Sequence, residues 1–131
     1  MYRCAVLAAS FAAALTLAAP AQAQLQLQRN FPRDAYRGVM NFGTPPAIQI
    51  NGQDALLGPG VRIRKPDNLL ALTGDFAGYK AVVNYTMDFQ GYVKDVWILR
   101  PDEIAKKPWP RNAEEAAEWA FDPVAQTWTK P

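Results

Sequence analysis

The chain contains no histidine, and its only cysteine is Cys4. A Ser-His-Asp triad, a Cys-His nucleophile pair, a c-type haem attachment and the usual zinc sites all require one of these residues. Carboxylate, lysine, tyrosine and hydroxyl groups are left for any catalysis. The sequence therefore predicts a domain without metal, cofactor or disulfide.

The N-terminus predicts a cleaved export signal. A basic start ending at Arg3 precedes an almost wholly apolar run at residues 5–19, and Ala21-Gln22-Ala23 is a small-x-small site of the kind that signal peptidase reads. The run of about 15 residues is shorter than the roughly 20 that a membrane-spanning helix needs. We therefore predict a signal peptide at residues 1–23, no transmembrane segment after cleavage, and a periplasmic or secreted domain.

Acidic and basic residues are nearly balanced. The formal net charge of the chain is +2, and loss of Arg3 with the leader leaves +1. Proteins that bind nucleic acids non-specifically need a much larger basic excess. The composition therefore predicts no nucleic-acid partner, and it leaves the oligomeric state open.

Short apolar-polar alternations separated by glycine and proline predict a mainly β fold. The strongest local signal is Asn51-Gly52, which suits the positive φ angles of a tight hairpin turn and lies between candidate strands at residues 47–50 and 53–57. Residues 79–86 and 92–99 predict a second hairpin. Together these patterns predict a small antiparallel barrel or rolled sheet of five to six strands.

The second hairpin is predicted with Asn84 opposite Asp95, which places Val82, Trp97 and Leu99 together on its outer face. An apolar patch on an outer face needs a cover, and the C-terminal segment can supply it. Charge placement and an Asn112 cap predict one or two short helices in that segment.

Leu69–Leu72 predicts a further short buried strand in the barrel core. Together these elements divide the chain into four parts. The parts are a signal peptide at residues 1–23, a flexible N-terminal segment at 24–36, a β-barrel core at 37–99, and a C-terminal helical cap and tail at 100–131.

Four residues are candidates for ligand binding. Trp109 lies between two prolines and Trp128 lies three residues from the C-terminus, so both are predicted to be exposed aromatics. Arg62 and Arg64 alternate with apolar residues and therefore share one face of a strand. That face could bind an anionic partner such as a lipid head group or a glycan phosphate, or it could be a solvated strand edge protected by charge.

Carboxylates offer an enzymatic alternative. A hydrolase or lyase needs two converging acids, and Asp88 and Asp95 are the candidates. Most of the aspartates in the strand region fall in turns, where the side chain bonds its own backbone. We therefore favour a non-enzymatic binding or accessory protein of the cell envelope, with an envelope protein or glycan as partner, over a carboxylate-dependent glycan hydrolase or lyase.

Four phrases of sequence carry a resemblance to a wider group. They are Arg37-Gly38-Val39-Met40-Asn41-Phe42, Ile48-Gln49-Ile50-Asn51-Gly52, Leu57-Gly58-Pro59-Gly60-Val61-Arg62-Ile63-Arg64 and Val96-Trp97-Ile98-Leu99. Over residues 37–104 the chain resembles small uncharacterised exported proteins of Gram-negative bacteria. The resemblance implies an exported, compact domain and carries over no catalytic residues.

Overall fold

The computed structural model describes residues 27–131. The predicted signal peptide and residues 24–26 lie outside the described residues. Apart from a single 3₁₀ turn at Thr73–Phe76, the described elements are eight strands and two short helices. In chain order they are β1 (Tyr36–Thr44), β2 (Ala47–Ile50), β3 (Gln53–Arg64), β4 (Leu70–Ala71), β5 (Lys80–Met87), β6 (Val93–Ile98), α1 (Pro101–Ile104), α2 (Ala113–Glu118), β7 (Ala120–Asp122) and β8 (Thr127–Thr129).

Six strands form one mixed sheet, and β7 with β8 forms a separate two-stranded sheet. Pairing in the large sheet passes from β1 to β2, β3, β6, β5 and back to β1, while β4 extends β3 at one edge. The mainly β prediction is confirmed. The prediction of an all-antiparallel sheet is wrong, because β3 and β6 run parallel.

The β2–β3 turn forms as its dipeptide predicts. Asn51 has φ +52° and Gly52 has φ +80°, and Ile50 pairs with Gln53 across the turn. Asn51 also bonds β1, where its side-chain oxygen accepts the Val39 amide at 2.9 Å. One dipeptide therefore closes the hairpin and fastens it to the neighbouring strand.

The β5–β6 hairpin forms with a different register from the predicted one. Asn84 pairs with Trp97, and Asp95 pairs with Thr86. The register shifts between Thr86 and Met87 because β6 carries an extra residue, exposed Lys94, between paired positions. The bulge turns Val93 into the core, where it is fully buried.

Two apolar clusters fill the molecule. The first lies inside the ring of strands and includes Met40, Phe42, Ile63, Val83 and Val96. The second lies between the outer face of the sheet and the C-terminal segment. Its buried members are Phe31, Ala35, Trp97, Leu99, Trp109, Ala116 and Trp128, with Val82 packed against them. The predicted cover for the Val82, Trp97 and Leu99 patch is confirmed.

The two helices are short. The α1 helix spans four residues and ends at Ile104. The α2 helix begins after Asn112, whose side chain accepts the Glu115 amide at 2.9 Å, so the predicted cap is present.

The burial of two segments, the N-terminal segment and Leu69–Leu72, differs from the prediction. The described part of the segment predicted to be flexible carries the buried residues Arg29, Phe31 and Ala35. The prediction of a buried strand at Leu69–Leu72 is wrong, since Leu69, Leu70 and Leu72 are 60%, 64% and 76% exposed. Only Leu70 and Ala71 pair there, with the end of β3.

Candidate functional site

The predicted exposure of Trp109 and Trp128 is wrong. They are 5% and 4% exposed and belong to the second cluster. Trp109 donates its indole hydrogen to the Ala35 carbonyl at 2.9 Å, and Trp128 stacks on Phe121 with ring centroids 4.7 Å apart. The prolines beside Trp109 and the nearness of Trp128 to the C-terminus suggested exposure, but the β7–β8 hairpin and the N-terminal segment enclose both rings.

Arg37 borders the same cluster and carries a shifted pKa. Its guanidinium lies 4.7 Å from the Trp109 ring centroid, bonds Asn84 Oδ1 at 3.1 Å and bonds the Lys106 carbonyl at 2.7 Å. Burial lowers the pKa of Arg37 to about 10, with the negative charge of Glu103 opposing that effect. The side chain joins the cap to the strands and is enclosed by them.

Arg62 and Arg64 lie on the outer face of β3 as the alternation predicts, but their surroundings differ. Arg62 is exposed. Arg64 is partly covered, with its guanidinium 5.3 Å from the Trp97 ring centroid and Nη1 3.5 Å from an Asp95 carboxylate oxygen. Of the two, Arg62 is the arginine available to a partner.

The two candidate catalytic carboxylates are occupied by the fold. Asp88 Oδ1 accepts the amides of Gln90 and Tyr92 at 2.9 Å each, which is the turn function that the sequence favours. Asp95 is half-buried and accepts the Thr86 hydroxyl at 3.1 Å. Neither residue lines the cavities of about 1090 and 740 Å³ described below. The two carboxylates therefore make separate local contacts, and these cavities do not bring them together.

The largest cavity, about 1090 Å³, is a groove between the N-terminal segment and the residues that follow β3 and β6. Arg29, Arg64 and Arg100 line it with Trp97. Its cations already have partners, since Arg29 and Arg100 both contact Glu103. Little positive charge is left in this groove to recruit an anion.

A second cavity of about 740 Å³, which we call the slot, has a different lining. It lies between the β1–β2 turn, the first half of β3 and the 3₁₀ turn. Its residues are Thr44, Pro45, Pro46, Leu56, Leu57, Gly58, Pro59, Val61, Thr73, Gly74, Ala77 and Tyr92. None of these lining residues carries a charge.

The backbone explains why the slot opens at this point. Pairing between β3 and β6 is interrupted between Leu57 and Arg62, where Pro59 has no amide hydrogen to donate. On the opposite wall the Leu57 amide bonds the Pro46 carbonyl at 2.9 Å, which holds the β1–β2 turn against β3. The prolines and glycines of the sequence marked turns, but no pattern in it indicated that these turns enclose a cavity.

Residues 27–131 contain neither a cluster of possible metal ligands nor a helix that could cross a membrane. Over residues 27–131, no three Asp or Glu side chains gather as they would around an ion. In the same part of the chain, no helix has the length and apolar character needed to cross a bilayer.

Fold and site together define a mainly β domain with a closed ring of strands, an aromatic cap and an uncharged surface slot. Comparison with family models, with curated proteins and with solved structures returned no match.

Proposed function

We propose that the protein is an exported, non-enzymatic binding domain of the cell envelope, and that the slot binds an uncharged saccharide chain. The observation that supports this is a cavity of about 740 Å³ whose lining contains proline, leucine and tyrosine but no charge. Small-molecule sites span roughly 300–1,000 Å³, so the slot is large enough for part of a chain.

The uncharged lining of the slot favours uncharged ligands over ions. Placing a phosphate or ammonium group against an uncharged, largely apolar wall removes water from the ion without supplying a partner, which is unfavourable. Sugar rings present flat C–H faces that pack on proline and tyrosine, and their hydroxyls can bond threonine. Pro46, Tyr92 and Thr73 offer these groups in the slot.

The connectivity of the ring supports a binding role by analogy. Five strands that close through one parallel pair have the plan of the OB barrel, whose second and third strands and adjoining loops bind oligonucleotides or oligosaccharides. A shared plan does not assign a ligand by itself. Oligonucleotides need a basic track along the phosphates, so an uncharged slot favours the saccharide.

The contacts of the two candidate catalytic aspartates, Asp88 and Asp95, support a non-enzymatic role. Asp88 holds the β5–β6 turn and Asp95 bonds Thr86, so neither is placed to act as the acid or base of a hydrolase. These contacts favour the binding proposal over a glycan hydrolase or lyase that uses Asp88 or Asp95.

Calorimetry against a panel of soluble oligosaccharides tests the proposal. The panel contains uncharged chito-, cello- and malto-oligosaccharides together with anionic oligogalacturonate and oligothymidylate. We expect binding to at least one uncharged series and none to the anionic probes. A protein that binds only the anionic probes, or none of the panel, contradicts the proposal.

Gly74→Trp supplies a variant that fills the slot. Gly74 lines the slot and a Cβ added there meets no atom within 4 Å, so we expect an indole at this position to reduce the space in the slot without displacing the backbone. Gly60→Trp is the matched control, because Gly60 also faces open space but does not line the slot. We expect Gly74→Trp to weaken saccharide binding by about tenfold or more and Gly60→Trp to leave it unchanged.

A further inference from the structure

Three exposed leucines lie close together in the sequence at the β4 edge of the large sheet, and two of them, Leu70 and Leu72, line one hollow. Leu69, Leu70 and Leu72 are 60%, 64% and 76% exposed. Monomeric soluble proteins rarely expose contiguous large apolar side chains without a function for them. The leucine ridge, as we call these three residues, therefore requires an explanation that the fold does not supply.

The ridge is held in place by its backbone. The Asp67 carboxylate accepts the Leu69 amide at 3.0 Å, and the Leu69 carbonyl accepts the Lys65 amide at 2.9 Å. At the other end the Asp75 carboxylate accepts the Leu72 amide at 3.2 Å. These bonds fix a turn that presents the leucines outward.

Cations flank the leucines. Arg62 and Lys65 share a hollow of about 340 Å³ with Leu70 and Leu72. Lys65 lies 3.8 Å from Asp67, whereas within residues 27–131 Arg62 forms no salt bridge. Asp75 also lines the hollow, where its carboxylate accepts the Leu72 amide and keeps its negative charge, so Arg62 is the cation that this surface leaves for a partner.

From this arrangement we infer that the leucine ridge, with Arg62 and Lys65, docks the protein on the surface of a membrane that contains anionic lipids. Apolar side chains that enter the boundary between head groups and acyl chains, beside cations that meet lipid phosphates, are the chemistry of peripheral membrane binding. Lysine and arginine can keep their charges at head-group level while their stems pack along the leucines.

The path of the chain agrees with this orientation. Arg100 donates to the carbonyl of Leu27 at 3.2 Å and to that of Pro66 at 3.3 Å, so the first described residues lie against the turn that leads to the ridge. Seven residues lie between Leu27 and Ala19, where the apolar run of the sequence ends. The eight steps from Ala19 to Leu27 span at most about 29 Å, which would keep the ridge close to the bilayer for as long as the predicted leader is attached.

Co-sedimentation with vesicles tests the inference. We expect the protein to bind vesicles of phosphatidylethanolamine and phosphatidylglycerol. Its binding to phosphatidylcholine vesicles should be weaker by a factor of about ten or more. Leu70→Ser with Leu72→Ser should lower the partition coefficient by about tenfold or more, and Arg62→Gln should lower it and reduce its salt dependence. Both changes lie at exposed positions, so the folded core is left intact.

Phe89→Ser is the matched control, since Phe89 is 98% exposed in the β5–β6 turn and outside the ridge. It should bind anionic vesicles like the unmodified protein. Equal binding to both vesicle types, or ridge variants that bind normally, would overturn the inference. So would ridge variants that change the oligomeric state without lipid, because the ridge would then join two copies. The slot variant Gly74→Trp should still bind vesicles, which separates this inference from the proposed saccharide site.

Discussion

Arg29 and Glu103 form a buried ion pair that fixes the N-terminal segment to the rest of the domain. The two residues are 7% and 5% exposed. Arg29 Nε donates to Glu103 at 2.9 Å, and another guanidinium nitrogen donates to the Ile98 carbonyl at 2.8 Å. Glu103 also accepts the Arg100 amide at 2.9 Å, which ties the start of α1 to the same pair.

Removing one partner of this pair should destabilise the protein more than removing both. Glu103→Leu leaves the Arg29 charge buried without its carboxylate, and we expect a loss of about 3–5 kcal/mol in the free energy of unfolding. Adding Arg29→Met should restore much of that loss. Urea denaturation of the three proteins measures the difference, and a double variant less stable than Glu103→Leu alone would contradict this explanation.

Tyr85 is expected to lower the free energy of unfolding of the protein at alkaline pH. Burial raises the pKa of Tyr85 above its ordinary value of 10.0, with a smaller contribution from Tyr36. As the pH rises above about 10, the unfolded chain therefore loses the phenolic proton before the folded protein does, and the free energy of unfolding falls. Urea denaturation at pH about 8 and about 10.5 measures how much free energy of unfolding each protein loses between the two pH values. We expect Tyr85→Phe to lose less than the unmodified protein. Equal losses would contradict the assignment.

The sequence predicted the positions of single residues where local chemistry decides them. The Asn112 cap and the alternation of Arg62 with Ile63 are local and are present. The burial of Trp109 and of Arg29 depends on contacts with residues 74 positions away, which no local pattern records. The slot was missed for the same reason, because Pro46 and Gly74 meet only in the folded chain.

Turns set the geometry of the elements. The Asn51-Gly52 turn was predictable because a two-residue dipeptide determines its backbone angles. The register of the β5–β6 hairpin was not, because the bulge at Lys94 depends on burying Val93 in a core made by other strands. The parallel pairing of β3 with β6 could not be predicted either, because the sequence of a long connection does not indicate which strands pair.

Gly52→Ala tests how much the β2–β3 turn contributes. Gly52 has φ +80°, a conformation that disfavours a side chain, so we expect a loss of about 1–2 kcal/mol. Gly60→Ala is the matched control, because an added Cβ there meets open space. Thermal unfolding of both variants measures the effect. Similar midpoints for the two would show that the positive φ angle does not limit stability.

At the scale of the whole molecule, the C-terminal segment completes the fold. The ring of strands buries its inner cluster, and in the described part of the chain the outer face of β5 and β6 is covered by residues that follow β6 and by the N-terminal segment. Trp97, Trp109 and Trp128 meet in that layer. The sequence predicted that the C-terminal segment covers the patch of Val82, Trp97 and Leu99, but it predicted Trp109 and Trp128 as exposed residues and not as part of that cover.

Trp128→Ala should therefore weaken the entire fold. Loss of this buried ring leaves a cavity beside Trp109 and Phe121, with an expected cost of about 3–5 kcal/mol. Chemical denaturation followed by far-ultraviolet circular dichroism reports the loss in the strands. A variant with unchanged stability would mean that the cap packs on the sheet without supporting it.

The location of bound saccharide tests the central claim most directly. Backbone amide chemical shifts are recorded for the folded protein with and without the uncharged oligosaccharide that binds best. We predict that the shifts concentrate on slot residues, above all Thr44, Leu57, Gly74 and Tyr92. A saccharide that moves no amide, or that moves those around Trp109 and Trp128 while the slot residues stay unchanged, would contradict the claim.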